Sequence, residues 1–310
     1  MSLRLTPLTD PERGASSHRL VWLAEEVPGA GTGPAATAPA AYPVGAAYLR
    51  LLTAPGQDHL AEVEVAVHPA ARRAGVGTRL LEAALAGAAA EGRRTLTAQV
   101  AGDGEGAAFL RARGFRTVLT LTCTRLATAD ADPVALAVRA GEARPGYRLV
   151  SWSGTVPDEL AGTFADSRRA MDDMPMDAMD HGTVAWDVDR VRAVARAVER
   201  RGDLLHTVAA VSEEDGTIAG FTELVVPGDG TGDGLHYGTG VLPAHRGRGL
   251  ARWMKAESVR TALVTHPALA GLVADTAESN TAMRAVNDAL GYVPTHRALF
   301  LQRDVPDPRG

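Results

Sequence analysis

Apolar and polar positions along the chain fall into short strand-like runs broken by two long stretches of helical spacing, and the arrangement occurs twice. In the first half, short apolar and β-branched runs predict strands over 4–8, 18–25, 44–52, 61–67, 95–100 and 115–126. Between the fourth and fifth of these, Val76, Leu80, Leu81, Ala84, Leu85 and Ala88 share one side of a helix, as a helix packed on a sheet requires. Residues 105–113 predict a second, shorter helix. Residues 27–43 are too rich in Gly and Pro for a regular element and predict a long hairpin loop. The second half predicts a strand over 147–152 and a helix over 157–171 with Leu160 and Phe164 on a shared face. A further helix follows Asp187, a plausible N-cap, with Val188, Val191, Val194, Ala195 and Val198 at helical spacing. Strands over 204–211 and 217–226 form a hairpin around 214–216. Then come a strand over 235–242, a helix over 250–265, a strand over 271–276, a helix over 279–290 and a strand over 292–302.

The two long helices start from matched turns. Thr239-Gly-Val-Leu-Pro-Ala-His-Arg-Gly-Arg-Gly-Leu-Ala251 joins a strand to a helix through glycines and arginines. A helix entered this way leaves its first N–H groups unpaired and the positive end of its dipole outward. Gly247 and Gly249 remove side chains that would keep a phosphate from the backbone, and Arg246 and Arg248 add charge, so the turn reads as an anion cradle. Val67, Pro69, Arg72, Gly75 and Gly77 repeat the spacing of Val241, Pro243, Arg246, Gly249 and Ala251. Gly114-Phe115 and Gly291-Tyr292 close a helix at nearly the same distance downstream of each turn. A repeat of this length implies two copies of one domain.

The cradle lacks the Gly-Lys-Ser/Thr ending of a nucleotide P-loop. Arg246-x-x-Gly249-x-Ala251 resembles instead the acetyl-CoA signature of the GCN5-related N-acetyltransferases (GNAT superfamily). The resemblance implies an α/β fold with mixed α+β sheets: two tandem GNAT folds, each a mostly antiparallel twisted sheet splayed at the acetyl-CoA cleft and flanked by helices. It divides the chain into an N-terminal GNAT-like domain (1–130), a linker (131–146) and a C-terminal, catalytic domain (147–310). Residues 9–17, between the first two strands, are too few for the family's two substrate helices, so the N-terminal copy is read as degenerate. Acetyl-CoA would be held by Val241, Leu242, Arg246, Gly247, Arg248, Gly249, Leu250 and Ala251, with Asn280 on the pantetheine arm. Val67, Arg72, Arg73, Gly75, Val76 and Gly77 would offer a second cradle, unless that half is structural. The backbone N–H of Leu242 would polarise the thioester carbonyl.

The remaining chemistry is less uniform. Glu223, within the apolar strand 220–226, is the first candidate for general base, since an apolar setting suits a carboxylate that accepts a proton near neutrality. Its alternative is a solvated position on the outer face. His236 and Tyr237 are alternates, and Asp275 and Glu278 stand behind them. Where the family often has an acidic Tyr, the chain has Asn287, which can hydrogen-bond a sulfur but gives up no proton. Tyr237, Tyr292 or water would then supply the acid. Met171-Asp-Asp-Met-Pro-Met-Asp-Ala-Met-Asp180 would roof the acceptor site. Asp172, Asp173 and Asp177 would attract a cation, Met174 would form a soft apolar wall, and His236 would face the substrate. The function implied is acetyl transfer from acetyl-CoA to a primary amine of a small, cationic, partly apolar acceptor. The two-copy layout is also similar to that of mycothiol synthases, which acetylate an amine on a cysteinyl pseudodisaccharide, and a non-catalytic acyl-CoA-binding module is the rival from another class.

Composition narrows the partners. With 310 residues, 45% hydrophobic and 22% charged, the chain can bury two ordinary cores. A net charge of −5 argues against nucleic acid as partner. The lone Cys123 precludes an intramolecular disulfide and reads as a buried thiol. No His-rich metal spacing or long apolar span stands out, so no metal or membrane partner is expected and a cytoplasmic location is. Ala/Arg/Gly usage hints at a GC-rich bacterial genome. Monomer and homodimer both remain open.

Overall fold

The computed structural model describes residues 2–9, 17–27 and 41–306. The expected loop over 27–43 and the turn over 9–17 lie largely outside the described residues. The chain folds as two compact units, whose limits differ from the repeat boundaries expected at 1–130 and 147–310: the first holds 1–119, 178–184 and 298–310, the second 120–177 and 185–297.

In the first unit, β1 (Ser2–Thr9), β2 (Ser17–Val27), β3 (Tyr42–Leu52) and β4 (Leu60–Val67) pair antiparallel in that order. Helix α1 (Val76–Ala90) packs Val76, Leu80, Leu81, Ala84 and Ala88 onto them, along the apolar stripe expected. β5 (Thr95–Ala101) then runs parallel to β4, and α2 (Glu105–Arg111) follows. The other edge of β5 is taken by the chain's last strand: Ala298–Asp304 pair with Ala101–Thr95. This explains why the unit reclaims the C-terminal residues. Residues 178–184 belong here too, with Asp180 on His59 and Gln302.

The second unit begins within β6 (Arg116–Ala127). The expected linker is part of its core: Asp132 caps α3 (Pro133–Gly141), Leu136 is buried, and the Ala140 carbonyl accepts from the Trp253 indole at 2.8 Å. After β7 (Tyr147–Ser153) come α4 (Asp158–Ser167), a 3-10 turn over 168–171, and α5 (Val188–Arg200), capped by Asp187 as expected. β8 (Leu204–Ser212), β9 (Ile218–Val226) and β10 (Gly232–Val241) form an antiparallel meander onto which β7 adds at one edge. α6 (Leu250–Thr265), β11 (Leu269–Ala277), α7 (Thr281–Ala289) and the start of β12 (Val293–Asp304) complete the unit, with β11 antiparallel to β6. All nine residues of β9 are buried, because α4 covers one face and α6 the other.

Each unit has one parallel pair that stops early. β4 and β5 pair only from Leu60↔Thr95 to Glu62↔Thr97, although β4 runs on to Val67. β10 and β11 pair only from Gly232↔Leu269 to Leu235↔Val273, although β10 runs on to Val241. Beyond those points the strands diverge. Both cradles sit at the end of the diverging strand.

Candidate active site

In the second unit, β10 and the first turns of α6 and α7 enclose a cleft of about 450 Å³. Thr239, Gly240 and Val241 line it from the strand, Arg246, Gly247 and Gly249 to Arg252 from the turn and α6, and Asn280 with Met283 and Val286 from α7. Gly249 takes φ 75° as the N-cap of α6 and offers no side-chain cap, so the first amides of the helix have no internal acceptor. Gly247 takes φ 76°, and a Cβ built there would meet no atom within 4 Å. Such an edge of bare amides at a helix N-terminus fits a diphosphate.

The arginines are already engaged. Arg246 donates from Nε to the Val241 carbonyl at 2.9 Å and from both Nη atoms to Asp173 at 2.7 and 2.6 Å. Arg248 donates to the Tyr147 hydroxyl, which also bonds His245. Sequence reasoning missed a third cation: Arg144 lies 3.5 Å from a Cβ placed on Gly249, and its buried Nε has no partner. It comes from the stretch read as a linker, and no motif marks it.

The carbonyl-polarising amide expected at Leu242 is not free: it donates to the Ala219 carbonyl of β9 at 2.9 Å. Alternation turns the neighbouring Val241 peptide the other way, to the edge where β11 has left the sheet. The Arg246 contact to the Val241 carbonyl fits that orientation. The available amide is Val241.

A β-bulge explains two further departures. Register shifts between His236 and Gly238, leaving Tyr237 as the extra residue. Tyr237 is 42% exposed, accepts a bond from Arg201 at 2.6 Å and stands outside the cleft. The same bulge moves His236 opposite Leu224, onto the α6 face, instead of the face shared by Gly238 and Gly240 under Met171. His236 is buried there, Nε2 to the Tyr292 hydroxyl at 2.8 Å. Burial and the nearby Lys255 hold it well below the usual histidine range, so it stays neutral. It does not face an acceptor.

Glu223 is 3% exposed, which rules out the solvated alternative, and it is already paired. Its Oε1 takes a bond from Arg168 at 2.6 Å, and that guanidinium lies 4.6–5.0 Å from the rings of Trp186, Phe221 and Phe164. A carboxylate so compensated is a structural ion pair. Asn287 is fully buried, accepting from Lys255 Nζ and donating to Thr276 at 3.1 Å. Asn280 caps α7 through the Met283 amide and also lines the cleft.

Part of the stretch expected to roof an acceptor site borders the cleft. Ala170 and Met171 press on β10 so closely that a Cβ on Gly240 would lie 2.9 Å from Ala170 Cβ and 3.1 Å from Met171 Sδ. Asp173, Met174 and Pro175 line the cleft. Asp173 is held below the usual carboxylate range by Arg246, which neutralises it, whereas Asp177 accepts only from the neutral Ser279 hydroxyl at 2.6 Å. Asp172 is exposed.

The first cradle has the same backbone and a different filling. Gly75 takes φ 82°, and Arg72 reaches the Val67 carbonyl at 3.4 Å. Arg72 and Arg73 both lie on Glu105, at 3.5 and 3.7 Å, and a Cβ on Gly77 would be 3.2 Å from the Phe109 ring. Glu105 and Phe109 stand where α7 has Ala282 and Val286, which line the open cleft. Val76 is buried beneath.

A sheet whose parallel strands part beside an uncapped helix defines the acyltransferases that hold a phosphorylated carrier by backbone. The acetyltransferase (GNAT) family matches residues 13–115 and 171–292, and the chain belongs to that family, with two GNAT regions in tandem. A search among curated proteins returns no match. Among solved structures, the chain is similar to a tandem GNAT protein from the clavulanic acid biosynthesis pathway, solved without AcCoA. The two share 26% identity at a TM-score of 0.73, over 95% of this chain and 85% of that one. It is also similar in fold to a GCN5-related N-acetyltransferase from Sphaerobacter thermophilus, with 17% identity and a TM-score of 0.64, over 92% and 80% of the two chains. A third, from Kribbella flavida, shares 17% identity at a TM-score of 0.51, over 83% and 86%. No helix among the described residues is long and apolar enough to cross a membrane.

Proposed function

We propose that the second unit binds acetyl-CoA and transfers its acetyl group to the amine of a small acceptor. The observation that carries this reading is the open cleft running from the bare amides of α6 along the unpaired edge of β10. Gly247, Gly249, Leu250, Ala251 and the guanidiniums of Arg246, Arg248 and Arg144 would hold the diphosphate, and the coenzyme supplies an activated acetyl thioester. The Val241 amide donates to the carbonyl oxygen, where charge builds up during transfer. Asn280 stands along the arm. Met171 and Ala170 fill the space over Gly238 and Gly240, and Met174 and Pro175 would give the acceptor an adaptable apolar wall.

Asp173 and Glu223 are paired with arginines, which leaves Asp172 and Asp177 as the carboxylates that would favour a cationic acceptor. The reading rests on an apolar body and a neutral, attacking nitrogen whose proton leaves to water. The first unit is a partner whose cradle is shut by Glu105 and Phe109. The similarity to a tandem GNAT protein from the clavulanic acid biosynthesis pathway supports a small-molecule acceptor over a protein one. Thiol release from acetyl-CoA, measured with a panel of small amines, tests the reading: amine-dependent release is expected, and coenzyme binding without any such release would support a binding module instead.

A further inference from the structure

One helical turn beyond the residues that line the cleft lies a buried polar cluster. Ala251 of α6 and Met283 of α7 line the cleft, and Lys255 and Asn287 lie four residues on, along the same helical stripes. On β10, Thr239 and His236 face the α6 side together, since they pair with Thr222 and Leu224 across the bulge. Thr276 joins them from β11, past the point where the two strands part. The cluster is therefore drawn from four elements that also flank the cleft.

Its bonds are sparse for its central charge. Lys255 is 2% exposed; its Nζ donates to Asn287 Oδ1 and lies 4.7 Å from the centre of the Tyr292 ring. Among the described residues Lys255 has no carboxylate partner, so an ammonium with three donors has one acceptor. Of the titratable groups facing it, His236 from β10 is neutral, and burial raises Tyr292, ahead of β12, above its ordinary value. Thr276 and Asn287 carry no charge. Burial brings Lys255 down to about 7. An isolated buried cation is costly to keep, and a structural role would be served better by a methionine.

We propose that Lys255 is the acid of the transfer reaction, giving an Nζ proton to the departing sulfur. This rests on the acyl-transfer reading above. The acceptor nitrogen forms the C–N bond as the C–S bond breaks. The electron pair of that bond passes to sulfur, which takes the proton from Lys255. The nitrogen's surplus proton goes to water, and the neutral Lys255 amine regains one from solvent. Asn287 is then a positioning residue that holds the amine, which accounts for an amide on α7 where an acid would otherwise stand.

The test uses coenzyme A itself, bound to the full chain, with its thiolate followed by ultraviolet absorbance as pH is raised. A thiolate beside Lys255 in turn holds its ammonium, so the two titrate as a pair, and thiolate is expected to appear about one pH unit or more below the free thiol. In Lys255→Met the shift disappears while coenzyme affinity stays within about threefold. With acetyl thioesters of more acidic thiols, turnover of that variant recovers. A wild-type bound thiol that ionises like the free one overturns the proposal even if the variant does not fold, and so does a variant that keeps the shift. Failure of the wild-type chain to bind coenzyme A is a different result, and it takes the acyl-transfer reading down as well.

Discussion

Asp173 and a diphosphate compete for one guanidinium, so Asp173→Asn should tighten coenzyme A binding. Both Nη atoms of Arg246 point at Asp173, at 2.7 and 2.6 Å, and cannot serve a second anion in that pose. The side chains are 45% and 48% exposed, which places the pair among solvent-screened ones. Such pairs contribute about 0.2–1 kcal/mol, with bidentate geometry at the upper end. Losing that opposition corresponds to a gain of about two- to fivefold in Kd. The sign with pH follows from Asp173 being held below its ordinary 3.8. Its pairing is complete above that value and is lost as pH falls through the lowered one, so the competition is constant across the neutral range. Calorimetric titration of wild type and Asp173→Asn with coenzyme A at one fixed salt concentration reads the effect. An unchanged Kd would show that the pair does not oppose binding. A weaker one would show that Asp173 orients Arg246 for the coenzyme, and either result refutes the reasoning.

Wild type should bind one coenzyme per chain, and the double variant Glu105→Ala, Phe109→Ala should gain a second, weaker site by calorimetry; two sites in wild type would contradict a shut first cradle. Breaking the buried Arg168–Glu223 pair with Arg168→Met should cost about 3–5 kcal/mol, seen as a fall in Tm of about 10 °C. If Glu223 were the general base, Glu223→Gln would abolish turnover with Tm intact, whereas the ion pair predicts that Tm falls too. Lys255 is lowered from 10.5 to about 7 in the fold, so the unfolded chain binds more protons in between. Stability should therefore rise with pH across that window in wild type, and denaturant midpoints of Lys255→Met should lack the rise.

The sequence made most elements readable because each carries a local signal. The α1 stripe, the Asp187 cap and the glycine-arginine turns all lie in the elements expected. What it concealed depends on long-range pairing. The last strand looked like the end of the second repeat, yet half of it adds to β5, since nothing local says which edge a strand will take. Arg144 and α3 lay in a stretch whose small residues suggested a linker. At the site, one bulged residue reversed the faces of His236 and Tyr237, and one step of alternation moved the free amide from Leu242 to Val241. Glu223 stood out as a charge in an apolar run, but only the fold shows its counter-ion, and only the fold shows that Lys255 has none among the described residues.

The central claim is that the amides opening α6 hold the coenzyme's diphosphate. Calorimetry with coenzyme A on wild type, Gly249→Val and Gly75→Val addresses it directly. A valine at φ 75° is strained and crowds the bare amides, so binding should be lost in Gly249→Val and kept in Gly75→Val. Binding that survives Gly249→Val, or that vanishes only with Gly75→Val, would contradict the account.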